Sequence, residues 1–195
     1  MIFRYCIVSF RLAPLLLLGV VEASAQKAPS ARPFERFDGC VLSPDEWTDG
    51  DSFRVRLPDG RLETFRLYFV DTTESRSSGK RSDEQAAYFG LTRTDAIKLG
   101  EEAKAFTAAA LQRPFTIQTR WRKVFGPTRY YACVFTADGN DLAELLVTNG
   151  LARIYGTRTP LPDGRDSRTY IAALRSLEQQ AKSAGVGGWR SRSSH

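Results

Sequence analysis

The chain has 195 residues, 28 Lys and Arg against 22 Asp and Glu, a formal net charge of +6 and a single His. Hydrophobic residues at 42% and charged residues at 26% are ordinary for a globular fold, which excludes wholesale disorder. The one histidine is the last residue, His195, so Ser-His-Asp and Cys-His catalysis and His-ligated zinc, copper or iron are excluded. An enzyme built on this chain works with carboxylates, arginines, hydroxyls or a hard metal held by oxygen.

Residues 1–25 read as a secretory signal peptide. Arg4 and Arg11 form a positive start, residues 12–21 (LAPLLLLGVV) a short apolar run, and Ala23-Ser24-Ala25 a cleavage signal. The run is too short and interrupted for a stable membrane span; an uncleaved anchor is the competing reading. Cleavage leaves a secreted or periplasmic protein starting near Gln26. It removes two arginines and one glutamate, leaving a formal charge of +5. A basic secreted protein is biased towards polyanions, although this charge also serves solubility alone. Cys6 leaves with the signal, and Cys40 and Cys133 remain, either as a disulfide or as two buried thiols.

Residues 26–36 read as a flexible polar leader, although strand-like patterning already begins at Phe34. Residues 52–57 alternate, with Phe53, Val55 and Leu57 on one face. The turn signal Pro58-Asp59-Gly60 and the aromatic-rich residues 62–70 complete a β-hairpin. Ser82 with Gln85 reads as a capping box before a short helix. Thr92 with Asp95 opens a longer helix through Leu111, with Leu99, Ala103, Phe106 and Ala110 on one stripe and Gly100 as a possible interruption. Residues 115–121 and 130–136 pair as strands. Residues 141–149 are helical with Gly150 closing them, and residues 167–184 form the last helix before Gly185. The order of strands, helix, strands and two helices is α+β and suits a small closed barrel with helices packed on it.

The hairpin sets two acidic motifs side by side: Asp49-Gly50-Asp51-Ser52 before its first strand and Asp71-Thr72-Thr73-Glu74 after its second. Each motif alone is an ordinary turn or cap. Together, Asp51, Asp71 and Glu74 make three carboxylates at one rim, which repel strongly unless a cation sits among them; oxygen ligands favour Ca²⁺ or Mg²⁺. Arg66 precedes Asp71 by five residues, so strict alternation puts the two on opposite faces unless the strand bends or ends first. Arg129, with Arg120, Arg122 and Lys123 as rivals, is a candidate phosphate ligand.

These residues carry a family resemblance. The chain resembles the staphylococcal nuclease-like (thermonuclease) family from about Phe37 to Trp189. The motifs are Asp49-Gly50-Asp51-Ser52, RLYFVDTTE at 66–74, GEEAKAF at 100–106, RYYA at 129–132, Ala137-Asp138-Gly139, LLVTNGLA at 145–152 and the closing helix to Gly188-Trp189. The resemblance implies an α+β five-stranded OB-fold β-barrel with three main helices plus an inserted helix, as a nuclease domain at 37–189 followed by a disordered basic tail at 190–195. It implies Ca²⁺-dependent hydrolysis of DNA and RNA phosphodiesters, with 3′-phosphate products. The sequence carries no signal for oligomerisation, and a monomer is expected. Carried over by motif, Asp51 and Asp71 ligate Ca²⁺ through their carboxylates and Thr72 through its carbonyl. Glu74 orients or deprotonates the attacking water, and Arg66 and Arg129 hold the phosphate.

The chain departs from the family pattern at several points. Ser52 stands for the usual Thr and Thr73 for the usual Pro. The segment between Glu74 and Gly100 is longer, and residues 125–129 (FGPTR) replace a shorter Tyr-Gly-Arg. Two other classes remain beside the nuclease: a non-catalytic OB-fold nucleic-acid-binding module, with Tyr68, Phe125, Tyr130 and Tyr155 as stacking platforms, and a secreted structural or glycan-binding domain.

Overall fold

The computed structural model describes residues 32–44, 48–76, 79–126 and 128–190. The expected signal peptide, most of the leader, Cys6, His195 and nearly all of the basic tail lie outside the described residues. Among the described residues seven strands and four α-helices follow in chain order: β1 Glu35–Leu42, β2 Ser52–Arg56, β3 Leu62–Leu67, β4 Val70–Thr72, α1 Lys80–Phe89, α2 Arg93–Ala110, β5 Phe115–Lys123, β6 Tyr130–Phe135, α3 Leu142–Thr148, β7 Ala152–Ile154 and α4 Ser167–Ala184. A short 3₁₀ turn, Gly187–Trp189, closes the fold. Five strands form a closed barrel in the order β1-β2-β3-β6-β5, and β4 pairs with β7 in a separate two-stranded sheet. The fold is α+β, a five-stranded closed barrel with four helices. β1 begins at Glu35, so the ordered strand takes the last two residues of the expected leader.

The barrel closes because β1 bends. Its first half pairs with β5 and its second half with β2, with a register shift between Phe37 and Cys40 where Gly39 takes φ +78°. Phe53, Val55, Phe65, Leu67, Phe115, Ile117, Ala132 and Val134 alternate inwards and are buried; Leu142, Leu146, Tyr170 and Leu174 of α3 and α4 join the same core. Cys40 and Cys133 are two buried free thiols. Burial pushes the Cys40 thiol up to about 11 and raises that of Cys133 as well.

Three helix starts follow the capping chemistry of the sequence, and at α3 Asp141 accepts from the Ala143 backbone N–H. Thr92 accepts from the Asp95 backbone N–H at the start of α2, and Asp166 accepts from the N–H groups of Arg168 and Thr169 at the start of α4. Ser82 and Gln85, in contrast, do not cap α1. That helix starts after Gly79 with no side-chain cap, Ser82 lies buried within it, and Gln85 points to the acidic motif instead. The buried face of α2 carries Ala96, Leu99, Gly100, Ala103 and Thr107, while Phe106 and Ala110 are only partly buried.

Gly100 does not interrupt α2; it lets the helix approach the acidic loop. A Cβ there would lie 2.6 Å from both the Thr73 and Glu74 carbonyl oxygens. Gly50 has the same role on the other motif, with the Ala103 Cβ 2.8 Å from the position of its own absent Cβ, and Thr107 Oγ1 donates to the Gly50 carbonyl at 2.7 Å. Alanine at an open helical glycine stabilises by about 1 kcal/mol. Gly100→Ala should instead destabilise by about 1–3 kcal/mol, because backbone must move. Chemical denaturation of the two proteins checks the sign.

Candidate active site

A break in the hairpin brings Arg66 to Asp71. β3 ends at Leu67, and Phe69 takes φ +69°, a region a bulky residue occupies only when its surroundings impose it. Phe69 is buried against Tyr170, its N–H donates to the Thr157 carbonyl, and its own carbonyl accepts from the Tyr155 N–H. The chain then leaves the barrel, and β4 pairs with β7 so that Asp71 faces Arg153 in register. Strict alternation therefore does not run from Arg66 to Asp71.

Asp51, Asp71, Thr72, Glu74 and Arg66 converge. Arg66 Nη1 donates to Asp51 Oδ1 at 3.2 Å and to Ser52 Oγ at 3.1 Å; Arg66 Nη2 donates to Asp71 Oδ1 at 2.5 Å and lies 2.9 Å from Asp51 Oδ2. The Thr72 N–H donates to Asp51 Oδ2 at 3.1 Å. Ser75 Oγ donates to Asp49 Oδ1 at 2.7 Å, tying the two motifs together. Arg129 precedes β6, which runs parallel to β3 with Tyr131 opposite Arg66. Its Nε is buried without a hydrogen-bond partner, and none of the ion pairs seen among the described residues includes it.

Three residues that sequence reasoning missed complete the cluster. Arg81 Nη2 hydrogen-bonds to Asp71 Oδ1, and Arg81 Nε lies 3.3 Å from Glu74 Oε1. Arg153 Nε donates to Asp71 Oδ2 at 2.8 Å. Gln85 Nε2 donates to Asp71 Oδ2 at 3.0 Å and to the Thr72 carbonyl at 2.8 Å, while Gln85 Oε1 accepts from the Glu74 N–H at 3.1 Å. Arg81 and Gln85 stand four residues apart on one face of α1, which is the signal that pairs them. Three guanidiniums thus offset the three carboxylates whose repulsion called for a cation.

Charge and burial oppose each other here. Burial pushes the Asp51 carboxyl up to about 6 against the pull of Arg66. Burial would also raise Asp71, but Arg66, Arg81, Gln85 and Arg153 outweigh it and hold Asp71 below the usual carboxylate range. Glu74, half-buried, is raised chiefly by burial, with Asp49 and Asp71 adding and Arg81 opposing. A carboxylate raised in this way is a better proton acceptor near neutral pH.

A hard cation such as Ca²⁺ takes about six to eight oxygens at roughly 2.3–2.6 Å, each with a lone pair turned towards it. The donor chemistry of Asp51, Asp71 and Thr72 is of that class. Their arrangement does not fit a bound cation, because both oxygens of Asp71 already accept two donors each and the Thr72 carbonyl accepts from Gln85. Among the described residues no group of three or more His, Cys, Asp and Glu is arranged to hold a metal ion.

Beside the cluster runs an open groove of about 480 Å³, lined by Phe69, Tyr131, Tyr155, Thr157, Arg158 and Ile171 among others. Tyr155 is exposed with the Arg153 guanidinium 4.3 Å from its ring centre, and Phe125 is fully exposed. Tyr68 is not a platform: it is buried and stacked on Tyr131, with ring centres 5.1 Å apart. Tyr130 packs edge-on against Trp121.

No helix of the described residues is long and apolar enough to cross a membrane. A search of curated proteins finds none that matches. The family described as Staphylococcal nuclease homologue matches residues 64–191, which takes in Arg66, Asp71, Thr72, Glu74 and Arg129 but begins after Asp51. The matched span takes in most of β3, all of β5 and β6 and all four helices, but not β1 or β2, and the chain belongs to the SNase family of staphylococcal nuclease homologues.

Proposed function

We propose that the protein is a secreted or periplasmic nuclease that hydrolyses phosphodiester bonds of DNA and RNA. Glu74 carries the reading: its carboxyl is raised by burial, its N–H donates to Gln85, and it lies beside Arg81 of the arginine cluster. Glu74 takes a proton from the attacking water, whose oxygen bonds to phosphorus as the bond to the 5′ oxygen breaks; the departing 5′ oxygen takes a proton from solvent, leaving a 3′-phosphate and a 5′-hydroxyl. Arg129, whose Nε is unpartnered, grips the phosphate. Arg66, at the head of the carboxylates, offsets the charge that builds on the phosphoryl oxygens. Exposed Tyr155 and Phe125 offer faces on which bases stack.

Ca²⁺ belongs to this reading as the family's usual cofactor, with Asp51, Asp71 and the Thr72 carbonyl as its ligands once their present partners release them. A second reading, a non-catalytic nucleic-acid-binding module, draws support from one observation, the full set of internal donors on Asp71.

Incubation of single-stranded DNA with the purified protein, in Ca²⁺ or in chelator, separates the two. The nuclease reading predicts cleavage in Ca²⁺, 3′-phosphate ends and loss of activity in chelator. DNA binding that weakens with salt, with no cleavage at any Ca²⁺ concentration, would establish the binding module instead.

A further inference from the structure

Asp71 is held by three arginines that are not equivalent. The side chains of Arg66 and Arg153 are 11% and 7% exposed, whereas that of Arg81 is 47% exposed. Arg66 and Arg153 reach Asp71 from strands, one in the barrel wall and one in the partner of β4. Arg81 reaches it from the first turn of α1, and that helix start has no side-chain cap. Arg81 is also the only one of the three with an ion pair to Glu74.

With Arg81 seated, the carboxylates of Asp51, Asp71 and Glu74 face the guanidiniums of Arg66, Arg81 and Arg153. With Arg81 displaced the cluster loses one positive charge, one Asp71 oxygen loses a donor and Glu74 loses its ion pair. A divalent cation held by Asp71 and the Arg81 guanidinium compete for the same carboxylate oxygen, Asp71 Oδ1, and for the same negative charge.

We propose that Arg81 is a built-in competitor for the divalent cation, an arginine plug carried by α1 that must leave Asp71 and Glu74 before the metal binds. The proposal rests on the reading of this cluster as the hydrolytic site, and its test does not depend on cleavage. While seated, the plug sets a high threshold of cation concentration. Gln85, four residues along on the same face, holds the Thr72 carbonyl and the Glu74 N–H, so the motion that frees Asp71 begins at the first turn of α1.

The test is calorimetric titration of Ca²⁺ into the wild-type protein, Arg81→Gln and Arg113→Gln. Arg113 makes an exposed ion pair with Asp138, so its replacement removes one positive charge elsewhere and controls for net charge. Arg81→Gln should bind Ca²⁺ about 10- to 100-fold more tightly than wild type, the range over which residues around a metal site move its affinity. Arg113→Gln should match the wild type. Equal affinity in Arg81→Gln and wild type, or an equal gain in Arg113→Gln, would overturn the proposal. Should Arg81→Gln fail to fold, Arg81→Lys keeps the charge but loses the fork that bridges Asp71 and Glu74, and should still tighten Ca²⁺ binding; no gain there overturns the plug. Tighter binding without DNA cleavage leaves the plug standing and removes the nuclease reading. Cleavage without an affinity change does the reverse.

Discussion

Glu74→Gln should lower the rate of DNA cleavage by about two to four orders of magnitude, the usual contribution of a placed general base. The substitution is nearly isosteric. Glutamine keeps an oxygen for the Arg81 Nε that now lies 3.3 Å from Glu74 Oε1, and the backbone N–H still donates to Gln85. The fold should therefore survive, and thermal denaturation should report little change. The pH profile adds a second reading of the same residue. Burial, with Asp49 and Asp71 adding, raises the Glu74 carboxyl above its ordinary value, so the acidic limb of the wild-type rate should lie above the usual glutamate range. Activity rises as Glu74 loses its proton, so the limb should climb with pH and be absent from the residual activity of Glu74→Gln. A limb unchanged in the variant would assign the proton transfer to another group.

Arg66→Ala carries the largest expected cost in stability, about 3–5 kcal/mol, because it strips a buried cation from two buried carboxylates. Asp71 keeps Arg81 and Arg153, but Asp51 keeps only the Thr72 N–H. The loss should depend on pH with a definite sign. Asp51 is already pushed up to about 6 in the folded protein, so between the ordinary aspartate value and about 6 the folded state binds more protons than the unfolded one. Stability contributed by this group therefore falls as pH rises through that window. Without Arg66 the Asp51 carboxyl rises further, the fall becomes steeper, and the deficit of Arg66→Ala should be smallest in acid. Adding Asp51→Asn should recover part of the loss at neutral pH. Urea denaturation of the three proteins across the range decides it; a deficit independent of pH would mean that Arg66 acts by packing alone.

Much of the framework was legible because it rests on local rules. Thr92 and Asp95 start α2, Gly185 ends α4 at the expected residue, and the turn at Pro58-Asp59-Gly60 sets β2 beside β3. The convergence of Asp51 with Asp71 followed from that hairpin. What remained hidden depends on contacts far apart in the chain. Alternation alone separates Arg66 from Asp71, and only the positive φ of Phe69, imposed by Tyr170, Thr157 and Tyr155, turns the strand back. Arg153 sits on a three-residue strand too short to announce its partner. Ser82 and Gln85 satisfy a capping pattern that α1 does not use, since Gln85 is drawn to buried carbonyl and carboxylate oxygens instead. Spacing sets three carboxylates together and calls for a metal cation among them; in the structure Arg66, Arg81 and Arg153 sit there, and none of the three is announced by its spacing to the carboxylates.

The central claim is that Glu74 does chemistry on a phosphodiester that the rest of the site binds. Its most direct measurement is affinity and cleavage together, for one labelled single-stranded DNA in Ca²⁺, with the wild-type protein and Glu74→Gln side by side. The account predicts the same affinity for both proteins and cleavage by the wild type alone. Equal cleavage by the two proteins, or DNA bound by both and cut by neither, would contradict it.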